Sequence, residues 1–445
     1  HWPVYREIHD AADILLTGDE RTYELVDGMF RTLRECLRTN IVNIGMDEAD
    51  LLGLGKYLTL HGYRDRFSIL MEHLRRVSEM AKKYGFELLM WGDMFFRLAG
   101  GDYFTNFNQD PELGEIPEKI KQLVPENVQL VYWDYFSREQ QRYEKNIDAH
   151  NAIKSESWFA GGLWTWAGFA PHNAFAIATM REAMRACRAK GVENVVMTMW
   201  GDNGAECSKF AVLPALFMVA QMARGIDDEE TIHANFEKEF GIPFEDFRAL
   251  DLAGTQNDSA EAIYNPEKYL LYCDPFMGQF DNRVKPADAA GYANCAARLA
   301  KHEHDADYGY LFRSLRALCN FLNIKVDLGI RTRAAYLSGD KKAAKALCTD
   351  YDAALERLDA FYAAYEQQWM HENKPQGFDV VDLRIGGQRQ RLLHCRDRLL
   401  AYAEGRLDRI EELEEPVLDC CCEEKADGQA TRAIFWHEIA SANIV

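Results

Sequence analysis

Residues 86–91, FELLMW, form a short apolar run that stands between Gly85 and Gly92. Ahead of this run, residues 65–84 carry apolar side chains at helical spacing, and Gly85 lies where a helix commonly ends in the left-handed conformation. An amphipathic helix followed by an apolar run of this length predicts a helix that leads into a buried β-strand. Gly92 and then Asp93 follow the strand, so the stretch predicts one helix-strand unit with a carboxylate just past its end.

The same alternation recurs along the first half of the chain. Strands buried on both faces have continuous apolar runs, and parallel strands need helical connections between them. The pattern therefore predicts a parallel α/β fold, either a doubly wound sheet or a (β/α)₈ barrel. No G-x-G-x-x-G follows a strand, which disfavours the nucleotide-binding version of the doubly wound sheet. Strands are predicted at 41–46, 86–91, 128–133, 158–164 and 194–200, and helices at 20–38, 65–84, 138–153, 173–190 and 208–224.

The second half of the chain has a different composition. A chain of 445 residues exceeds the size of one compact core, so two domains are expected. After Gly225 long Ala-, Leu-, Arg- and Glu-rich stretches have helical periodicity. We therefore predict the C-terminal part of a barrel over residues 1–225 and a mainly α-helical domain over residues 226–445. The clearest helical stretches are 288–303, 308–337, 341–370 and 384–412.

Charge and cysteine content limit the possible partners. The net charge of −20 disfavours nucleic acid and anionic membrane surfaces as partners. No apolar run approaches the length of a transmembrane helix. The eleven cysteines include no C-x-x-C pair, which favours free thiols in a reducing compartment, and we expect the cytoplasm. No pair of histidines has ligand spacing, so neither a metal nor another cofactor is predicted.

Every predicted strand is followed by an aromatic residue, a carboxylate or both. The C-terminal ends of parallel strands face the same way, and ligands bind there. Indoles cover the apolar faces of a sugar ring, while carboxylates and hydroxyls bind its rim, so the pattern predicts a sugar site. Taken singly, each tryptophan is as well explained by packing, and Asp93 by capping of a loop. The predicted site residues are Asp47, Glu48, Trp91, Tyr132, Trp133, Asp134, Trp164, Trp166, Trp200 and Asp202.

Five of these strand-end segments resemble glycoside hydrolase family 20, the β-N-acetylhexosaminidases. The helical tail is similar to that of a bacterial subgroup whose barrel precedes an all-helical domain. The resemblance implies a (β/α)₈ barrel that releases terminal β-linked N-acetylglucosamine or N-acetylgalactosamine from glycans. It also implies a retaining mechanism in which the substrate's own 2-acetamido group is the nucleophile. The segments are NIGMDEA (43–49), MWGDMFF (90–96), VYWDY (131–135), GGLWTWAGFAPHN (161–173) and MWGDNGAEC (199–207).

The resemblance also implies a role for each residue. Glu48 is the general acid and then the base, and Asp47 orients the acetamido group. Tyr132 donates a hydrogen bond to the acetamido carbonyl. The remaining residues hold ring hydroxyls (Asp134, Asp202), wall the acetamido pocket (Trp91, Trp133, and either Trp164 or Trp166) or form the floor under the ring (Trp200).

Only five of the eight strands of a barrel are recognisable in the sequence. The arginine that the family uses to grip sugar hydroxyls has no counterpart, because Arg6 lies too late. A barrel that lacks three strands would expose two long edges, so we expect this polypeptide alone to be inactive or prone to aggregation. Alternatives are a glycosidase that uses two carboxylates, such as Glu48 and Asp202, and a non-catalytic carbohydrate-binding protein. The helical tail could complete the fold, cover the barrel or form a homodimer interface.

Overall fold

The computed structural model describes residues 2–11, 13–99, 122–256 and 265–417 of the chain. The predicted domain boundary after residue 225 stays a prediction. The compactness of the fold divides the chain at other positions. It groups the chain into a sheet unit, His1–Gly161 with Thr179–Thr198, and a helical unit, Gly162–Ala178 with Met199–Val445.

Five parallel strands form the main sheet, and their spatial order equals their order along the chain. Consecutive parallel neighbours are what a (β/α)₈ barrel requires. The predicted fold class, part of such a barrel followed by a mainly helical region, is confirmed. The strands of the sheet are β3 (Ile41–Asn43), β4 (Glu87–Trp91), β5 (Val128–Trp133), β6 (Trp158–Gly162) and β7 (Val195–Thr198), and the hairpin of β1 (His9–Ala11) and β2 (Ile14–Leu15) precedes them.

Helices connect consecutive strands, as the hydrophobic spacing predicts. In the helix Arg66–Lys83 the buried positions Leu74, Val77 and Ala81 recur every three or four residues, and Gly85, at φ +70°, ends the turn before β4. Each helix is within a few residues of its predicted bounds, although the last one begins as a 3₁₀ turn, Lys209–Val212. The α-helices of this part are Glu20–Cys36, Lys56–His61, Arg66–Lys83, Asp93–Ala99, Gln140–Ile153, Asn173–Lys190 and Leu213–Ala223.

Strand β3 differs most from its prediction. It has three residues instead of the six predicted, and Ile41 and Asn43 are exposed. Among the described residues β3 pairs only with β4, so it forms an edge of the sheet and only one of its sides is covered. The chain leaves strand geometry at Gly45 and Met46, which have φ angles of 71° and 67°.

The helical unit is built mostly from α-helices, as predicted. Among the long helices, Lys341–Glu372 packs against both Gly309–Lys325 and Phe378–Ala403. The predicted stretches 308–337 and 384–412 are each divided into two helices. No helix in the described part of the chain is long and apolar enough to span a bilayer. The other α-helices are Glu229–Phe240, Phe244–Arg248, Leu252–Thr255, Pro266–Tyr272, Asp288–Leu299, Leu328–Leu337 and Glu411–Glu414.

The eight cysteines that lie in the described ranges all carry free thiols. Seven of them are buried, and burial raises the pKa of a thiol such as that of Cys187, to about 12. A thiol held protonated in this way is a poor nucleophile, so these cysteines pack as small apolar side chains. Cys420, Cys421 and Cys422 lie outside the described residues.

A buried ion cluster ties the segment after β7 to helices of the same helical unit. The Glu206 carboxylate accepts a hydrogen bond from Lys268 Nζ at 2.6 Å and contacts Arg384 Nη1 at 3.3 Å. Its backbone carbonyl accepts a hydrogen bond from the Tyr365 hydroxyl at 2.9 Å. Glu206 and Lys268 are 3% and 0% exposed, so each ion depends on the other for compensation of its lost hydration.

Replacing Lys268 with Met should therefore lower the free energy of unfolding by about 3 kcal/mol, because the Glu206 carboxylate stays buried without its closest cation. Denaturant unfolding followed by far-UV circular dichroism measures this loss. Lys301→Met is the matched control, since it removes an ion pair with Asp246 of the same 2.6 Å length whose lysine is 62% exposed. The control should change stability little. Equal losses in the two variants would contradict a stabilising role for the buried pair.

Candidate active site

The chain turns sharply after β3, at the segment that contains the predicted acid. Gly45, Met46 and Glu48 have φ angles of 71°, 67° and 49°. Glycine adopts this left-handed region freely, whereas Met46 and Glu48 are held there at a cost of about 1 kcal/mol or more each. Strain of this kind concentrates where the surrounding structure fixes functional side chains. Asp47 and Glu48 are both exposed.

Asp93, at the beginning of helix Asp93–Ala99, holds this turn in place. Its side chain is fully buried. Oδ2 accepts a hydrogen bond from the backbone N–H of Glu48 at 3.0 Å, and Oδ1 accepts one from the indole N–H of Trp133 at 3.4 Å. Asp93 therefore caps a loop and at the same time contacts two of the predicted site residues.

Arg97, one helical turn after Asp93, faces the same carboxylates. Its Nε lies 3.3 Å from Asp93 Oδ2, and its Nη1 lies 2.8 Å from Asp50 Oδ1. Its Nη2 is 3.4 Å from Glu48 Oε1, the longest of the three contacts. The Arg97 guanidinium is thus shared among three carboxylates, and its distance to Glu48, the predicted acid, is the longest.

Burial sets the electrostatics of this group. It raises the pKa of Asp93 to about 6, against the lowering effects of the Glu48 N–H group and the Arg97 guanidinium. Partial loss of hydration at its carboxylate also raises the pKa of the exposed Asp47, and the charge of Asp13 adds to the rise. Within the described ranges, no three His, Cys, Asp or Glu side chains are grouped so that they could hold a metal ion.

The alternation of side chains along β4 and β5 separates the predicted aromatic residues. Trp91 is the register partner of Val131, and successive residues of a strand point to opposite faces. Trp133 therefore shares a face with Trp91, and Tyr132 lies on the other face. Both indoles are buried, with less than a tenth of their surface exposed.

Tyr132 and Asp134 are bonded to each other. The Tyr132 hydroxyl donates to Asp134 Oδ2 at 2.9 Å and accepts from Asn146 Nδ2 at 3.0 Å. Asp134 Oδ1 accepts the backbone N–H groups of Phe136 and Ser137 at 2.8 and 3.2 Å. The substrate contacts of Tyr132 and Asp134 stay predictions, and each requires the side chain to exchange a protein partner for the sugar.

In the helical unit, the structure distinguishes Trp164 from Trp166. Their ring centroids are 4.3 Å apart. Trp164 is buried and meets Phe175 edge to face at 5.1 Å, whereas Trp166 is only half-buried. Of the two indoles that compete for one predicted role, Trp166 is the one with surface available to a ligand.

Trp200 and Asp202 follow β7 and are both exposed. The carbonyl oxygen of Trp200 accepts hydrogen bonds from Thr165 Oγ1 at 2.7 Å and from Lys209 Nζ at 2.6 Å. Lys209 also donates to Thr165 Oγ1 at 3.0 Å. Partial burial raises the pKa of Asp202, against the lowering effect of the Lys209 ammonium. These bonds join the residue between Trp164 and Trp166 to the backbone of Trp200.

Two buried carboxylates hold the segment that follows β6, also within the helical unit. Asp251 accepts the backbone N–H groups of Asn173 and Ala174 at 2.9 and 2.8 Å and so caps a helix. Glu267 Oε1 accepts the N–H group of Phe169 at 3.0 Å and that of Ala170 at 3.3 Å. Burial raises the pKa of Asp251 to about 6 and that of Glu267 to about 7.

Sequence reasoning missed Arg97, Lys209, Asp251 and Glu267. A signal for Arg97 was present, because Asp93 and Arg97 are four residues apart on one helix and can face each other there. Glu267 lies 98 residues from the N–H group of Phe169 that it binds, and no local pattern indicates a contact over that distance.

Comparison with known protein families finds a match for the C-terminal region. Residues 243–432 match the family model of the Glycoside Hydrolase 20C C-terminal domain. No curated protein matches the chain. A solved structure described as a GH138 enzyme targeting pectin rhamnogalacturonan II is 10% identical, with a TM-score of 0.36. That match covers 87% of this chain and 64% of the other, so this chain spans less than two thirds of that protein's length.

Replacing Glu267 with Gln tests the anchor of the segment after β6. Its Oε1 position can still accept both N–H groups, but the side chain no longer ionises. In the native chain the raised pKa makes stability greatest when Glu267 is protonated, and stability is lost as the pH rises from about 4.5 through about 7. We expect the fall in the free energy of unfolding between pH 5 and pH 8 to be about 2 kcal/mol smaller in Glu267→Gln.

Urea unfolding at the two pH values measures this difference. Glu356→Gln, at an exposed position of the helix Lys341–Glu372, is the matched control and should keep the native pH dependence. A native pH dependence in Glu267→Gln as well would show that Glu267 is ionised in the fold without cost.

Proposed function

Since the chain belongs to glycoside hydrolase family 20, we propose that it removes terminal β-linked N-acetylglucosamine or N-acetylgalactosamine from the non-reducing ends of glycans. The observation that carries the proposal is the exposed Asp47–Glu48 pair, which lies on a strained turn pinned by Asp93. A solvent-accessible acid next to a second carboxylate, on a backbone that cannot rearrange freely, suits a group that must deliver a proton to one atom of a bound sugar.

In the proposed first step the acetamido carbonyl oxygen of the substrate attacks the anomeric carbon. The bond from that carbon to the leaving oxygen breaks, and Glu48 gives its proton to the leaving oxygen. The product is an oxazolinium ion on the enzyme. In the second step a water molecule attacks the same carbon, Glu48 takes the proton of the water, and the acetamido group is restored. Two displacements at one carbon retain its configuration.

Asp47 is proposed to accept a hydrogen bond from the acetamido N–H. Its negative charge then stabilises the positive charge that develops on the oxazolinium ring. Trp91 and Trp133 are proposed to wall the pocket of the acetamido group. The shared face of the two indoles supports this assignment. The role of Tyr132 as a donor to the acetamido carbonyl stays a prediction, and it requires the hydroxyl to leave the face opposite the two indoles.

In the helical unit, Trp166 and Trp200 are proposed to stack on the sugar, with Trp164 packed behind Trp166. Asp202 is proposed to accept hydrogen bonds from ring hydroxyls, as is Asp134 in the sheet unit. The exposure of Trp200 and Asp202 supports their roles, because a side chain must be accessible to meet a ligand.

Glu48→Gln in the intact protein should reduce hydrolysis of an aryl β-N-acetylglucosaminide by about 10²–10⁴-fold, because proton transfer to the leaving oxygen is lost. Asp47→Asn should lose activity on a similar scale. Release of the aryl group measures both. Glu356→Gln, far along the chain on an exposed helical surface, should keep native activity. Native turnover in Glu48→Gln would rule out the assignment of the acid.

The nucleophile can be tested separately. A thiazoline analogue of the oxazolinium ion should inhibit the protein strongly, and an aryl β-glucoside that lacks the acetamido group should not be hydrolysed. Enzyme assays with both compounds check the prediction. Resistance to the thiazoline together with glucoside hydrolysis would favour a glycosidase that uses two protein carboxylates. Binding of the sugar without any turnover would favour a carbohydrate-binding protein.

A further inference from the structure

Asp93 and Arg97 lie next to the proposed acid, yet Asp93 cannot touch a substrate because none of its surface is exposed. Its carboxylate instead fixes three groups: the Glu48 N–H at 3.0 Å, the Trp133 indole N–H at 3.4 Å and Arg97 Nε at 3.3 Å. Because these partners hold the Asp93 side chain, it fixes the position of the Glu48 backbone and the position of Arg97 relative to Glu48.

The proposed function makes opposing demands on Glu48. As an acid it must hold a proton, and a strong ion pair with arginine would favour its loss. As the base that follows, it begins as a carboxylate and benefits from a nearby cation. The guanidinium of Arg97 meets both demands because it is shared: it lies 2.8 Å from Asp50 and 3.3 Å from Asp93 as well as 3.4 Å from Glu48, so no single carboxylate has its whole charge.

We propose that Asp93 and Arg97 are positioning residues for Glu48. Asp93 holds the Glu48 backbone and shares the Arg97 guanidinium with Glu48, and Arg97 offers this shared cation to the Glu48 carboxylate in its ionised form. The inference rests on the proposed function for its catalytic meaning, but the arrangement of charge around position 48 can be tested without any activity.

Other charged groups face this cluster and stay constant in the test. Asp47 and Asp13 add negative charge on the same side. Arg66 donates to the backbone carbonyls of Ala49 and Asp50, so its cation lies beside the turn. The imidazole of His150 packs against Gly92, and burial lowers its pKa to about 4, so it is neutral above pH 6.

The first test places a thiol probe at position 48. In Glu48→Cys, the rate of alkylation by iodoacetamide between pH 6 and 10, resolved by peptide mass spectrometry, gives the apparent pKa of the thiol at that position. Adding Arg97→Met should raise this pKa by about half a unit, because a cation is removed. Adding Asp93→Asn should lower it by a similar amount, because Asp93, with a pKa of about 6, is ionised over the upper part of this range and the substitution removes its negative charge.

Three controls isolate the effect. Arg97→Lys keeps a cation in place and should return the pKa towards that of Glu48→Cys alone. Arg75→Met removes a surface arginine that pairs with Glu79 on the helix Arg66–Lys83 and should have no effect. The exposed thiol of Cys36 reports in every sample whether alkylation itself has changed. If Asp93→Asn fails to fold, the pair of Arg97 variants still decides the outcome.

The second test uses the pH profile of hydrolysis with Glu48 in place. The alkaline limb reports loss of the acid's proton, so Arg97→Met should move it upward by about half a pH unit and Asp93→Asn should move it downward. Opposite thiol shifts in a protein without hexosaminidase activity would support the arrangement of charge and overturn the proposed function. Native activity with no thiol shift, or with shifts of equal sign, would overturn the present inference.

Discussion

Buried carboxylates accept backbone N–H groups in several segments that follow strands, and these bonds fix the loops that carry the candidate site. Asp93 accepts the N–H of Glu48, and Asp134 that of Phe136, in the sheet unit. A chain that leaves a parallel strand loses its ladder partners, and its N–H groups must find other acceptors if they are buried. A carboxylate has two oxygens with two lone pairs each, so one side chain can satisfy several such groups at once.

This arrangement costs stability, and the protein compensates for the cost in two different ways. Where N–H groups are the partners, the charged form stays poorly solvated, and burial raises the pKa of Asp93 to about 6 and that of Glu267 to about 7. Where the partners are cations, as for Glu206 with Lys268 and Arg384, charge is compensated directly. The first solution fixes a loop and raises the pKa of its carboxylate towards physiological pH. The second binds elements that are distant in sequence.

The parallel sheet, its alternation with helices and the helical tail could be predicted from the sequence alone, because each depends on a local period of apolar residues. The candidate site was predicted less completely. Tyr132 and Trp133 were assigned to one pocket from their resemblance to a family motif, although adjacent strand residues point to opposite faces. A six-residue strand was predicted at 41–46, but β3 is a three-residue edge strand, and Asp47 and Glu48 after it are exposed. Contacts such as Glu267 with Phe169 depend on how distant segments pack, and no local pattern encodes them.

Exposure separates two kinds of strand-end carboxylate that the sequence pattern treats alike. Asp47, Glu48 and Asp202 are exposed, whereas Asp93 and Asp134 are buried. A carboxylate whose lone pairs are already used by N–H groups must give up such a partner before it can bind a sugar hydroxyl, and an exposed carboxylate does little to hold the backbone. A loop that must present a reactive acid in one place therefore needs both kinds close together in sequence or in space. The hydrogen bond from the Glu48 N–H to Asp93 joins an exposed carboxylate to a buried one. Because this bond holds the backbone, the strained turn persists at the position where a proton is to be transferred.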